Sequence, residues 1–237
     1  MPAAGAHLPG LLPDRFAETV GELHRLAVYV ISPAQRLANG EIVMRAAPGG
    51  FSTFEFDGRT VAVDGDELVV DGVRRRITSL RAAADAAGIE PDVAQQELFD
   101  VPPYGDLDEP LRVDPAAARA LGEWYAYVSA ALEDLRAAAR PSDDASPVRI
   151  WPEHFDAAVD MGEEAAGRRA TYGGSPGDRN HDEPYLYVSP WAGRVESFFD
   201  EPGFAGASRT LTQLRGLPLG AGSAFLREAQ GRVVGGR

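Results

Sequence analysis

Three Asp-Gly pairs, Asp57-Gly58, Asp64-Gly65 and Asp71-Gly72, recur at a spacing of seven residues. Glycine accepts the positive φ that tight hairpin turns demand, so Asp-Gly between apolar alternations is a strong hairpin signal. A turn at that spacing leaves strands of about five residues. Between the turns Val61 and Val63 fall on one face, and Leu68 and Val70 form the next alternation. Residues Glu41 to Ile77 therefore predict an antiparallel meander, preceded by a strand pair around a Pro48-Gly49-Gly50 turn. The run Arg74-Arg75-Arg76 falls on the last strand. Alternation puts Arg74 and Arg76 on one side and Arg75 on the other, so the run is not one basic patch; ion pairs with the acidic excess are expected. Gly49-Gly50 is no phosphate loop, because neither a helix start nor a lysine follows.

Outside the meander the apolar period is helical. Phe16, Val20, Leu23, Ala27 and Val30 recur at steps of four and three after a capping Asp14, and Pro33 is expected to end or kink that helix. Thr78 or Ser79 caps a short alanine-rich helix that stops near Gly88. Asp114-Pro115 starts a longer helix, with Ala118, Leu121, Tyr125, Val128, Leu132 and Leu135 as its buried stripe and Trp124 at the rim; it runs to about Ala139 and stops before Pro141. Residues 141–147 read as a polar linker. Val148–Trp151, Phe155–Met161, Arg169–Tyr172 and Tyr185–Ser189 are short strand candidates, and Ser208–Arg215 and Ser223–Gln230 read as short helices. The fold expected is α+β: antiparallel strands in 41–77 and 148–191 covered by the helices at 14–31 and 114–139. Residues 1–13 form a loose lead-in, and 14–237 a single domain or two lobes joined near 85–114.

Composition narrows the functions. No cysteine is present, which removes disulfide scaffolds, thiolate metal sites and cysteine nucleophiles. All 23 basic residues are arginine, which removes Schiff-base chemistry and a P-loop lysine; a base composition rich in G and C accounts for the bias. The 36 acidic residues give a net charge of −13, which opposes binding to nucleic acid or to an anionic membrane surface. Met1 to Pro13 lacks a basic cluster followed by an apolar stretch, so no secretory signal is expected, and the longest clear apolar run, Leu26 to Ile31, is far short of the ~20 residues of a membrane helix. A soluble cytoplasmic protein is the expectation. Residues 85–114 hold nine acidic side chains and one arginine, Arg112, and read as a solvated surface connection.

Reactive residues gather in three strings: Trp151-Pro152-Glu153-His154-Phe155-Asp156, Tyr172-Gly173-Gly174-Ser175-Pro176-Gly177-Asp178, and Asn180-His181-Asp182-Glu183-Pro184-Tyr185-Leu186-Tyr187 running on to Pro190-Trp191. His154 and Asp156 are two apart, so on a strand they share a side, and His181 with Glu183 or Asp178 could complete a metal or acid–base site; two separated histidines are a weak signal, and a backbone-bonded His154 with a solvated His181 is the favoured alternative. Gly173-Gly174-Ser175-Pro176-Gly177 matches Gly-x-Ser-x-Gly, but Pro176 deletes the N–H that a nucleophile elbow offers to an oxyanion, so a rigid turn is read instead. A carboxylate pair such as Glu153 and Asp156 carries almost no information in so acidic a chain. Trp151, Tyr172, Tyr185, Tyr187 and Trp191, mixed with Arg168, Arg169 and Arg194, could line a pocket for a small planar or anionic ligand.

The three strings, read as WPEHFD, YGGSPGD and PYLYVSPW, resemble a mainly actinobacterial family of unknown function, and the Gly49-Gly50-Phe51 hairpin with its meander looks like the front half of the same group. The resemblance covers about residues 14–200 and assigns no catalytic residue or cofactor. The function expected is a small-molecule-binding or enzymatic domain built from 151–191, with His154, Asp156 and His181 as candidate catalytic groups and Trp151, Tyr172, Asp178, Tyr185, Tyr187 and Trp191 as ligand-binding ones. The alternative is an interaction module whose partner docks on the acidic 85–114 segment or on the sheet.

Overall fold

A computed structural model describes residues 7–98, 100–193, 196–218 and 220–235. Residues 1–6 of the lead-in, and Arg194 of the expected pocket, lie outside the described residues. The protein is α+β, with two antiparallel sheets of five strands each. The chain divides into two compact units, the first holding 9–126 and 149–155, the second 1–8, 127–148 and 156–237. The acidic segment 85–114 lies wholly within the first.

The first unit opens with α1 (Phe16–Leu26), a π-helical turn (Ala27–Ile31) and α2 (Ser32–Asn39). Pro33 does not end the helix as expected. The Ser32 N–H reaches back five residues to the Ala27 carbonyl, and this wider turn accommodates the proline ring. Proline supplies no N–H to the carbonyl four residues earlier, on Tyr29, and the Asp92 N–H takes its place at 3.0 Å. Gly40, at φ +81°, then closes α2.

The meander runs β1 (Arg45–Ala47), β2 (Gly50–Ser52), β3 (Val61–Asp64), β4 (Glu67–Val70) and β5 (Val73–Arg76), paired in sequence order. The strands fall short of the five residues expected because β3 starts only at Val61, two residues past the Phe56–Arg59 bridge, and the middle turn is Gly65-Asp66, which leaves four residues before Asp71. Asp57 and Gly58, then Asp71 and Gly72, all have positive φ, as two-residue hairpin turns require. At the middle pair Asp64 stays in its strand, and Gly65 alone is positive. Val61, Val63, Leu68 and Val70 are buried. All of β5 is exposed: Arg74 pairs with Asp64 and Glu67 at 2.6 and 2.7 Å, and Arg76 lies 3.8 Å from Asp66.

Helix α3 (Leu80–Ala87) is capped as expected, the Ser79 hydroxyl accepting from the Ala82 N–H and Gly88 adopting φ +72°. The acidic segment that follows contains one short helix, α4 (Gln95–Leu98), and is tied down rather than merely solvated. Arg36 pairs with Asp92, Arg25 donates to the Tyr104 carbonyl, and the Tyr29 hydroxyl donates to the Pro102 carbonyl at 2.5 Å. Arg81 pairs with Asp108 at 2.9 Å, and the Leu111 N–H donates to the Thr78 carbonyl at 2.8 Å.

Helix α5 (Pro115–Ala137) starts where Asp114 accepts from the Ala116 and Ala117 N–H groups, each at 2.9 Å. Its stripe is buried as expected, but Trp124 is fully buried too, not at the rim. Instead of a polar linker, the chain then makes a 3₁₀ turn (Pro141–Asp143) whose Asp143 is buried and paired with Arg140 at 2.8 Å. The second sheet has the order β10-β9-β8-β7-β6, formed by β6 (Arg149–Trp151), β7 (Asp156–Met161), β8 (Ala170–Ser175), β9 (Tyr185–Pro190) and β10 (Ala207–Thr210). Strand β10 replaces the first half of the helix expected at Ser208–Arg215. Only α6 (Leu211–Arg215) is helical there, capped by the Thr210 hydroxyl, and α7 (Ala221–Gly235) follows. Among the described residues no helix is long and apolar enough to cross a membrane.

Within the first unit, α5 presses its backbone onto the Pro48-Gly49 turn at Gly122, where a Cβ would come 2.6 Å from the Gly49 carbonyl carbon and 2.8 Å from the Gly50 nitrogen. Alanine is the better helix former by about 1 kcal/mol, yet overpacking costs about 1–3 kcal/mol. Gly122→Ala is therefore expected to lower the urea midpoint and Tm; a midpoint that rises would show that this contact does not limit the helix.

Candidate functional site

The side chains of β7 to β10 sort by alternation into two unlike faces. The register pairs Ala158 with Gly173, Gly173 with Tyr187 and Tyr187 with Ser208. One face thus carries Val159, Met161, Tyr172, Leu186, Val188 and Ala207, all buried. Val128 closes over Gly174 on that side; a Cβ at Gly174 would meet it at 2.5 Å. The other face carries Asp156, Asp160, Thr171, Ser175, Tyr185, Tyr187 and Ser208. It is polar, yet Asp156, Ser175 and Tyr185 are 6%, 4% and 5% exposed. A buried polar face costs free energy unless its groups are bonded, so its hydrogen bonds define the candidate site.

Tyr187 donates its hydroxyl to the Asp156 carboxylate. Its ring lies over Gly173, where a Cβ would come within 2.6 Å of ring atoms, and Phe204 meets it edge-on at 5.9 Å. Tyr185 donates to Asp178 Oδ2 at 2.6 Å, and its ring centre is 6.1 Å from that of Tyr187. His181 stacks on Tyr185 at 4.0 Å. Its Nε2 is 3.4 Å from Glu201 Oε2, and its Nδ1 is 3.7 Å from Asp178 Oδ1. Glu201 accepts from the Ser208 hydroxyl and from the Gly203 N–H. The loop between β8 and β9 is held by Asp178 Oδ1, which accepts from the Asn180 and His181 N–H groups at 2.7 and 3.0 Å, and by Ser175 Oγ, which accepts from the Gly177 N–H at 3.2 Å.

Electrostatics follow from this burial. Desolvation, then the charge of Asp156, pushes the Tyr187 phenol well above its usual range, and desolvation with the Asp178 hydrogen bond does the same for Tyr185. Both remain donors at neutral pH. Burial works to raise Glu201, but the bonds from Ser208 and Gly203 and the neighbouring His181 outweigh it and hold the carboxyl low. Glu183 is likewise held low against burial, chiefly by Thr212 and Thr210. The site therefore offers fixed carboxylates, two phenol donors and one imidazole stacked on an aromatic ring.

Of the residues expected from sequence, Asp156, Asp178, His181, Tyr185 and Tyr187 join this network in the second unit. Tyr172 sits on the opposite, apolar face. Trp191 is half exposed; its Nε1–H donates to Thr171 Oγ1 at 3.0 Å, and the Arg169 guanidinium lies 5.0 Å over its ring. Trp151 and His154 belong to the first unit. His154 is not on a strand with Asp156: it is exposed, in a turn closed by the Phe155 N–H on the Trp151 carbonyl at 2.7 Å, with Phe155 at φ +53°. Ser175 ends β8 and no helix follows it. Among the described residues no three histidine, aspartate or glutamate side chains are grouped to hold a metal ion.

Sequence reasoning missed Glu201, Ser208 and His24. Glu201 stands in an acidic, Pro/Gly-rich stretch with no motif around it, and Ser208 lies on a strand read as a helix. His24, on α1 beside the buried Leu23, stacks parallel on Phe155 with ring centres 4.8 Å apart, and its Nε2 bonds the Pro152 carbonyl at 2.8 Å. Tyr125 donates to the Phe155 carbonyl at 2.8 Å, so two side chains clamp the His154 turn.

Desolvation, reinforced by nearby His154 and only partly offset by the bond to Pro152, lowers His24 to about 4. The native imidazole is thus neutral where an unfolded one, with a pKa near 6.5, is protonated. Its contribution to stability is complete above about pH 6.5 and declines as pH falls toward 4, at up to about 1.4 kcal/mol per unit. An NMR titration of the His24 ring is expected to give a midpoint near 4; an ordinary midpoint near 6.5 would show the clamp to be open in solution. Comparison with models of known protein families, with curated proteins and with solved structures finds no match to this chain.

Proposed function

We propose that the second unit binds a small, hydrogen-bond-donating molecule at the polar face of its sheet, with His181 as the acid–base or ligand-contacting imidazole. The supporting observation is that one face of a buried sheet is built from Asp156, Ser175, Tyr185 and Tyr187 and extended by His181, Asp178 and Glu201, where apolar packing would serve stability at lower cost. Buried titratable groups gathered with specific charge partners mark a candidate functional site. The neighbouring loop supplies an approach: Asp178, Arg179, Asn180 and Asp182 are exposed while His181 behind them is mostly covered.

The carboxylates of Asp156, Asp178 and Glu201 outweigh the one imidazole, so an amine or a polyol suits the network better than the planar anion suggested by the arginines. Arg169 stacks outward on Trp191, and Arg209 is on the other face.

Thermal melts of the full chain against a panel of amines, polyols, anions and divalent metals test the reading. An amine or polyol is expected to raise Tm of the wild type by several degrees, as binding at about 100 times Kd contributes about 2.7 kcal/mol. The rise should shrink in His181→Ala and in Glu201→Gln. A panel that leaves the wild type unmoved, or a shift that persists in both variants, would remove the site.

A further inference from the structure

The first unit carries a different kind of binding surface. We propose that the free edge of β5 receives an extended acidic segment of another protein, which adds a sixth strand to the meander.

The argument begins with which backbone groups are free. Residues Val70 and Val73 flank a two-residue turn, and the Ile77 N–H donates to the Asp66 carbonyl at 2.9 Å. Residues 73, 75 and 77 therefore direct their N–H and C=O groups at β4, and residues 74, 76 and 78 direct theirs away from it. Thr78 already accepts the Leu111 N–H at 2.8 Å, which ends the edge on that side. The outward groups of Arg74 and Arg76 have no backbone partner among the described residues. The open edge thus spans Val73–Arg76, all exposed.

Side chains then choose the occupant. An antiparallel copy of β5 would set arginine opposite arginine, and like charges directly across a ladder destabilise it, so the edge rejects its own copy. Arg74 is neutralised by Asp64 and Glu67. Arg75, on the opposite side, has no ion-pair partner among the described residues, although the chain holds 36 acidic side chains. Next to it on the same side, Val73 is 51% exposed. A strand placing a carboxylate across from Arg75 and an apolar residue across from Val73 matches the edge in charge, polarity and hydrogen bonding. The rest of the molecule reverses this preference. At a net charge of −13, long-range attraction favours cationic peptides, so selection of an acidic one can only come from this local edge.

Fluorescence anisotropy of the full chain decides it, with a short labelled peptide as the probe that repeats Val-Thr-Glu-Thr, so that valine and glutamate alternate along one face of the added strand. Its counterparts carry lysine in place of glutamate, or N-methyl groups on alternate amides. The wild type is expected to bind the glutamate peptide and to reject both counterparts. Arg75→Glu should weaken the glutamate peptide about tenfold and turn the preference toward the lysine peptide. Arg74→Pro deletes an outward N–H while sparing the ladder to β4, and should also lose binding with an unchanged circular dichroism spectrum. Equal or stronger binding of the lysine peptide by the wild type, retention of the N-methylated peptide, indifference to Arg75→Glu, or self-association abolished by Arg74→Pro would each overturn the proposal. None of these outcomes bears on the polar face of the second unit.

Discussion

A carboxylate inside a sheet must be met by donors, and in the second unit the meeting of Asp156 with the Tyr187 hydroxyl sets much of what surrounds it. To deliver that hydroxyl the ring must lie flat on the strand beside it, and only a residue without a Cβ leaves room; Gly173 is that residue. The same demand repeats on the apolar side, where Val128 presses on Gly174. The pair Gly173-Gly174 is thus a consequence of large side chains crossing both faces of one strand at consecutive positions. Tyr185, Asp178, His181 and Glu201 extend outward from this fixed point, each bonded or stacked to its neighbour.

What could be read from the residues alone follows from how local each cause is. The meander and the start of α5 are legible because aspartate-glycine turns and an aspartate-proline cap act within four residues of themselves. The alternation of β7 to β10 is far less legible. Strand β8 reads Ala-Thr-Tyr-Gly-Gly-Ser, and its glycines hide which face is apolar until their cross-strand neighbours are known. For that reason the aromatic residues looked like one cluster, whereas Tyr172 and Tyr187 stand on opposite sides of the sheet. Trp124 was misplaced because helical spacing gives a stripe and not its width. Glu201 meets His181, and His24 meets Pro152 and Phe155, across long stretches of sequence, and no spacing announces such contacts.

Charge shapes the first unit in a related way. A chain without lysine relies on guanidinium groups, whose forked donors suit carbonyls and carboxylates alike. Arg25, Arg36 and Arg81 use them to strap residues 92–108 in place, so a stretch that composition marks as self-repelling is held by discrete bonds. The individual ion pairs are partly exposed and each contributes little; the strap depends equally on Tyr29 and on main-chain bonds such as Leu111 to Thr78.

The π-helical turn before Pro33 has a kinetic corollary. A helix ordinarily completes its hydrogen bonds from its own neighbours and can form early, but here the Tyr29 carbonyl waits for an amide that arrives from residue 92. The opening helix is therefore finished only when a long loop containing the entire meander has closed behind it. That arrangement couples the opening helix of the first unit to a segment that follows the whole meander, so the last hydrogen bond of the one is made only when the other has docked.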